Sequence, residues 1–218
     1  MKYFPKKKLK NKMSIERADA TSWLNNMPPN SATVVILDPP YRGPTDQPVR
    51  GRDDGAGGQV FGLFGFLHDL FDATYKVLKQ GGIVICFCDF KRTPDVGRLA
   101  GMAGLRVNTC IAWVQTRVGT GGLFRNAWNP IMIFSKGSAK SIDRSAIPNV
   151  IRCEPIHHSR RTHVYEKPTA VYSHILSRVI KPNDIVLDPF AGSGSSRQPS
   201  VELHATWKGC DIDPKYSS

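Results

Sequence analysis

Thr33-Val34-Val35-Ile36-Leu37-Asp38-Pro39-Pro40-Tyr41 is the stretch on which the fold turns. Its first five residues form an apolar run that reads as a buried strand. Two consecutive prolines cannot continue that strand, so the chain turns at its carboxyl end. The turn leaves a carboxylate, two rigidly placed carbonyls and an aromatic ring at the edge of a sheet. Such a set suits a flat ring that carries an exocyclic amine. The Asp38 carboxylate and a proline carbonyl accept the two amine hydrogens, and Tyr41 stacks on the ring. The plain alternative for the same four residues is an acidic turn with a tyrosine lid.

Far downstream a second strand, Ile185-Val186-Leu187, runs into Asp188-Pro189-Phe190-Ala191-Gly192-Ser193-Gly194-Ser195-Ser196. Strand, glycine-rich turn and helix start make a geometry for a nucleotide-like ligand, because glycine lets backbone approach closely and a helix amino end favours an anion. The spacing is not the dinucleotide fingerprint, and no Lys follows the glycines as in a phosphate loop. A third strand, Thr206-Trp207-Lys208-Gly209-Cys210, ends in Asp211-Ile212-Asp213. An acid just past that strand is where a ribose diol is gripped. An ordinary helix cap followed by a polar tail is the plain alternative.

These segments resemble the amino-group DNA methyltransferases that use S-adenosylmethionine. The Asp-Pro-Pro-Tyr tetrapeptide precedes the Asp-Pro-Phe-x-Gly-Ser-Gly loop, an order similar to that of the beta class. His163-Val164-Tyr165-Glu166-Lys167-Pro168 matches the family's His-Pro-Thr-Glu/Gln-Lys-Pro segment in spacing, with Val and Tyr departing. Arg17-Ala18-Asp19-Ala20 sits where the family has Gly-Asp before the catalytic strand. The resemblance runs from about Ile15 to Tyr216. It implies a Rossmann-like α/β fold, mostly parallel, with helices on both faces and a circularly permuted motif order. It implies catalysis by Asp38, Pro39, Pro40 and Tyr41. It implies a cofactor site built from Asp19, Lys167, Pro168, Asp188, Phe190, Gly192, Ser193, Gly194, Ser195 and Asp211. Lys167 and Pro168 are expected at the methionine end, and Phe190 and Asp211 beside the adenosine. The chain departs from the family at Trp128-Asn129-Pro130, where His-Glu is frequent, and at Ser195 and Ser196, where Thr is common. It departs again at Pro199, which interrupts the helix after the loop. A proline in the first turn is tolerated, whereas one a turn later kinks the helix.

At 218 residues the chain suits one α/β domain, expected over 13–218 after a basic tail at 1–12. No apolar run is long enough to span a bilayer and no signal sequence opens the chain. Cys86, Cys88, Cys110, Cys153 and Cys210 have neither metal-ligand nor disulfide spacing. A reducing, cytoplasmic protein is expected, with no membrane partner and no metal.

The formal net charge is +12 and the pI about 9.7, the footprint of a polyanion partner. Six lysines and no acid lie in residues 1–12. That tail reads equally as a solubilising arm or a DNA contact. Lys136, Lys140, Arg144, Arg152, Arg160 and Arg161 face only Asp143 and Glu154 within 136–162. The family puts target recognition there. The stretch 42–59 is rich in glycine, arginine and aspartate without apolar periodicity, and it starts at the tetrapeptide. It reads as a mobile lid over base and backbone, or else as a disordered insertion. Val118 to Arg125, also glycine-rich, is placed at the same cleft. The DNA contacts expected are Arg42, Arg50, Arg52, Arg144, Arg160 and Arg161.

Short strands alternate with helical patterns, the signature of a parallel sheet with covering helices. Helices are expected at Val60 to Gln80, ended by Gly81-Gly82, at Pro94 to Met102, and at Ser173 to Ile180. Further strands are expected at Ile83 to Cys88, Leu105 to Val114 and Pro130 to Phe134. The reading is a methyltransferase acting on an exocyclic amine of double-stranded DNA, at N6 of adenine, with S-adenosylmethionine as cofactor. N4 of cytosine, or a catalytically inactive nucleic-acid-binding protein on the same fold, is the alternative. A second copy of the chain stands as a candidate partner, and the sequence names no restriction partner.

Overall fold

A computed structural model describes residues 14–39, 57–115, 123–139, 142, 147–156 and 166–216, and of 57–62 the backbone alone. The described strands are β1 (Ile15–Arg17), β2 (Ala32–Leu37), β3 (Leu78–Phe87), β4 (Arg106–Val114), β5 (Trp128–Ser135), β6 (Val150–Arg152), β7 (Ile185–Asp188) and β8 (Thr206–Asp211). They form one sheet in the order β1-β8-β7-β2-β3-β5-β4-β6. From β1 to β3 every neighbouring pair is parallel. β5 runs antiparallel between β3 and β4, and β6 lies parallel to β4 at the edge.

The central strands are apolar on both faces because helices cover both. Val35 and Leu37 of β2 pack towards α1 (Ala20–Asn25), α2 (Gly57–Val77) and α3 (Thr93–Met102). Val34 and Ile36, pointing the other way, pack with α4 (Thr169–Val179). This alternation is the two-residue period of a strand. Along α2, Leu67, Leu70, Phe71, Thr74 and Val77 repeat at helical spacing and are all buried. Phe71 meets Phe134 of β5 edge-on, with ring centroids 5.9 Å apart. No helix among the described residues is long and apolar enough to cross a membrane.

Several boundaries differ from the sequence reading. The helix expected to run to Gln80 ends at Val77, and β3 starts at Leu78 rather than Ile83. Gly81-Gly82 is therefore an irregularity inside β3, where pairing with β2 slips between Ala32 and Val34. Gly81 has φ +79° and donates its N–H to the Lys136 carbonyl at 2.7 Å. At the other end, α2 begins at Gly57, so the last residues of the 42–59 stretch are helical. The 136–162 segment contains a strand, β6, which the sequence reading lacked. Its first cation, Lys136, is structural. The ammonium donates to the Tyr75 and Leu78 carbonyls at 2.9 and 3.0 Å and to Asn30 Oδ1 at 2.9 Å. It satisfies carbonyls at the end of α2, where a cation is favoured.

α4 starts a turn before Ser173, with Pro168 as its N-cap. Beyond the glycine loop comes α5 (Arg197–Glu202), with Pro199 as its third residue. That is the first turn, where the missing N–H has no intrahelical acceptor, so the proline is accommodated. All five cysteines are free, and burial pushes the Cys88 thiol up to about 12.

Candidate active site

Parallel strands bring their carboxyl ends to one edge of the sheet, and five of them deliver acids there. Asp38 follows β2, Asp188 ends β7, Asp211 ends β8, Asp19 follows β1 and Asp89 follows β3. β2 and β7 are hydrogen-bonded neighbours, Val34 opposite Val186 and Val35 opposite Leu187. The sequence-distant Asp38-Pro39 and glycine loop thus emerge side by side, about 5 Å apart by the ordinary strand spacing. In open α/β sheets this edge is where ligands bind.

Asp38 is half-buried, with a quarter of its side chain exposed, and it forms an ion pair with Lys167. The Lys167 ammonium also lies over the Phe87 ring, 5.4 Å from its centroid. Phe87 is buried edge-on against Tyr172 of α4, centroids 5.3 Å apart. Burial raises the Tyr172 phenol well above its usual value, and the Asp38 and Asp188 carboxylates raise it further. Tyr172 therefore lies as a neutral floor near both acids. The resemblance gave Lys167 to the cofactor; here its ammonium rests on the Asp38 carboxylate.

The glycine loop is fastened from beneath. Asp188 is almost fully buried. Its carboxylate accepts the Phe190 N–H at 3.1 Å and the Ser196 hydroxyl. Ser196 in turn accepts the Trp207 indole N–H at 2.9 Å. Burial pushes the Asp188 carboxyl up to about 7 against the pull of those two hydrogen bonds, and Asp38 and Asp211 add to the rise. Gly192 and Gly194 have φ of 48° and 80°, left-handed conformations that favour glycine. A Cβ at Gly194 would meet Ile15 Cδ1 at 3.6 Å, an ordinary contact, so backbone rather than crowding demands glycine.

Asp211 fits the diol-gripping position. One oxygen accepts the Gly192 N–H at 2.8 Å and the other the Asp213 N–H at 2.9 Å. Two backbone donors fix the carboxylate, and lone pairs remain on both oxygens for hydroxyl donors. Asp19 is brought beside it, because Ala18 N–H donates to the Asp211 carbonyl at 3.2 Å. One Asp19 oxygen caps α1 through the Ser22 N–H at 2.9 Å. Phe190 is half-buried against Phe66 of α2, edge-on at 6.4 Å. This set of a loop free of bulky side chains, a fixed acceptor carboxylate and an aromatic ring fits an adenosine-bearing group.

Asp38, Lys167, Asp188, Phe190, Gly192 and Asp211 thus gather at one edge. The Ser193 and Ser195 hydroxyls are 3.2 Å apart on the exposed side of the loop. Pro39 is buried after Asp38, and Pro168 caps α4. Pro40, Tyr41, Arg42, Arg50, Arg52, Arg144, Arg160 and Arg161 lie outside the described residues. Sequence reasoning missed Ser196, Trp207, Tyr172 and Phe87. The one signal for them was Ser196 in a position where the family commonly has Thr.

Comparison with known proteins identifies the family and the fold. Residues 32–218 match the DNA methylase family of N6 and N4 methyltransferases. The type II methyltransferase M.HpaI of Haemophilus parainfluenzae is 26% identical over 91% of this chain and 70% of its own length. The putative methylase YubD of Escherichia coli (strain K12) is 23% identical over 92% of this chain and 85% of its own. Among solved structures, the M1.HpyAVI–SAM complex superposes with a TM-score of 0.70 at 20% identity, covering 93% of this chain and 94% of that one. The cytosine-N4-specific PvuII DNA methyltransferase gives 0.74 at 17% identity, covering 92% and 82%. These likenesses show a shared methyltransferase fold, and the match over residues 32–218 goes further: the chain belongs to the DNA methylase family of amino-group methyltransferases.

Proposed function

We propose that this protein methylates N6 of adenine in double-stranded DNA, with S-adenosylmethionine as the methyl donor. The observation that carries the reading is the adjacency of Asp38 and the Asp188–Ser196 loop on neighbouring parallel strands. S-adenosylmethionine, when bound, supplies a methyl group made electrophilic by its sulfonium. Gly192, Gly194, Asp211 and Phe190 would hold its adenosine side, and Asp19 stands next to them.

An exocyclic amine is a poor nucleophile because its lone pair is delocalised into the base. Asp38 and the Pro39 carbonyl accept its two hydrogens. That localises the lone pair, orients it, and stabilises the positive charge that develops on nitrogen. Lys167 holds the Asp38 carboxylate in place beforehand and yields one oxygen to the amine. The base must leave the duplex to reach this pocket, at a cost of a few kcal/mol that stacking on Tyr41 partly offsets. Asp38 in place of Ser leans towards adenine, as does the larger ring surface of a purine over Tyr41. The basic tail at 1–12, the 42–59 lid and the 136–162 recognition segment remain parts of this reading, as do the arginines assigned to DNA.

The test is mass spectrometry of digested product DNA. N6-methyladenine is expected as the main mark, and N4-methylcytosine as the dominant product would overturn the choice of base. Asp38→Ala should abolish transfer while cofactor affinity, read by calorimetry, stays within a few-fold. Near-normal turnover in that variant would remove Asp38 from the chemistry.

A further inference from the structure

Two large apolar side chains stand out at the edge of the sheet that carries the site. Leu123 is 91% exposed and its neighbour Phe124 84%. They lie on the β4–β5 connection, whose neck is closed by the Gln115 N–H to the Ala127 carbonyl at 2.8 Å. Trp128, the first residue of β5, is 44% exposed just beyond it. Single exposed apolar residues are common, but an adjacent Leu-Phe pair with a Trp at its base needs a cover.

The position follows from topology. β5 is antiparallel to β3, with Ile131 opposite Phe87, and Cys88 N–H donates to the Pro130 carbonyl at 3.3 Å. The start of β5 therefore lies at the carboxyl end of β3, beside the Phe87 ring that carries Lys167. β5 is two strands from β2, so its first residues lie about 10 Å to one side of the carboxyl end of β2. The connection's own charges are cations, while Asp89 and Glu154 are exposed at the ends of the neighbouring β3 and β6. From Gln115 to Trp128 the chain holds Arg117 and Arg125 and no acid. Arg152, opposite Val114 at the end of β6, is exposed at the same edge.

We propose that Leu123 and Phe124 form an apolar wedge that enters the DNA duplex at the step vacated by the target base, with Arg125 and Arg152 on the flanking phosphates. This rests on the DNA reading above. Extruding a base leaves an unstacked void in the duplex, and apolar side chains at exposed tips fill such voids between base steps. The cover needed by the Leu-Phe pair is then the neighbouring base faces. The cations beside it, Arg125 and Arg152, suit a phosphate backbone.

The test uses two fluorescent duplexes of one sequence, one intact and one with a single stable abasic site, which presents the void ready-made. By anisotropy, the wild-type protein should bind the abasic duplex about tenfold more tightly, the worth of one base–aromatic stack. In L123A/F124A, whose changes fall on exposed positions, that preference should vanish. In R125A both affinities should fall together and the preference should remain, because a phosphate contact does not sense the missing base. An L123A/F124A protein that keeps the abasic preference overturns the wedge. Methyl incorporation into unmethylated plasmid DNA, run in parallel on the wild type, tests the DNA reading separately. No incorporation there would sink that reading, independently of the binding ratio.

Discussion

Replacing Asp188 with asparagine should change the way stability depends on pH. The Asp188 carboxyl is 3% exposed, and burial lifts it from an ordinary 3.8 to about 7. Between those values the folded chain holds a proton that the unfolded chain has released. Stability from this group is therefore present at acid pH, is lost as pH rises from about 4 to about 7, and is flat above that. Three units at 1.36 kcal/mol each make the full swing about 4 kcal/mol, or about 1.4 kcal/mol per pH unit inside the window. The side-chain amide of the Asp188→Asn variant cannot titrate. It must also turn its nitrogen towards one of two donors, so it loses one of the hydrogen bonds to Phe190 and Ser196 at every pH, a constant cost of about 1 kcal/mol. The assay is urea denaturation of both proteins at half-unit steps from pH 4 to 8. Groups remote from Asp188, and the repulsion within a chain of net charge +12, are common to the two and cancel in the difference. The variant should trail the wild type at pH 4.5 and overtake it near neutrality. Parallel stability curves would show that burial does not perturb Asp188, and the reasoning would fail.

Ser196→Ala should destabilise the fold by roughly 2–4 kcal/mol, because it strips a buried acceptor from the Trp207 indole and a buried donor from Asp188 at once; a loss under about 0.5 kcal/mol in the same denaturation assay would contradict the network. Gly194→Ala should cost about 1–2 kcal/mol through its φ of 80° and weaken S-adenosylmethionine binding in calorimetry, with unchanged affinity marking the loop as a mere turn. Lys167→Met and Asp38→Asn should be less harmful together than the sum of each, with a coupling of about 1–2 kcal/mol; strictly additive losses would mean the ion pair contributes nothing.

The fold was legible where one residue pattern had one physical cause. Val34 to Leu37, and Val186 and Leu187, are buried on both faces, so their apolar runs announce strands, and both end in the acid the reading expected. Pattern failed where two elements abut. Lys79, Gln80 and the two glycines resemble a helix end, yet β3 is paired on both sides, by β2 and β5, and that pairing recruits the chain from Leu78 onwards. β6 is three residues at an edge, with exposed ends and too little length for any period. Lys136 was counted with the cations of the 136–162 segment because its acceptors are backbone carbonyls some sixty residues away, which composition cannot register. The bond between Ser196 and Trp207 was invisible for the same reason. A serine beside glycines and an aromatic in a strand acquire meaning only when β7 and β8 lie side by side.

Lys167 shows what the fold adds to a motif. The residue before a proline is biased to extended backbone, so Lys-Pro followed by α4 places a lysine just outside a helix amino end. A cation there faces the positive end of the helix dipole and is disfavoured by itself. The Asp38 carboxylate opposes that cost and the Phe87 ring adds a second favourable contact. The arrangement is mutual. Asp38 needs a donor to hold its orientation while no amine is bound, and Lys167 needs an anion because of where Pro168 and α4 put it. On the proposed function, an amine entering the site would meet an acceptor already aimed, and would displace one hydrogen bond rather than order a free side chain. Because the contact joins the end of β2 to the start of α4, the two motifs are linked through this ion pair, and a change at either one registers at the other.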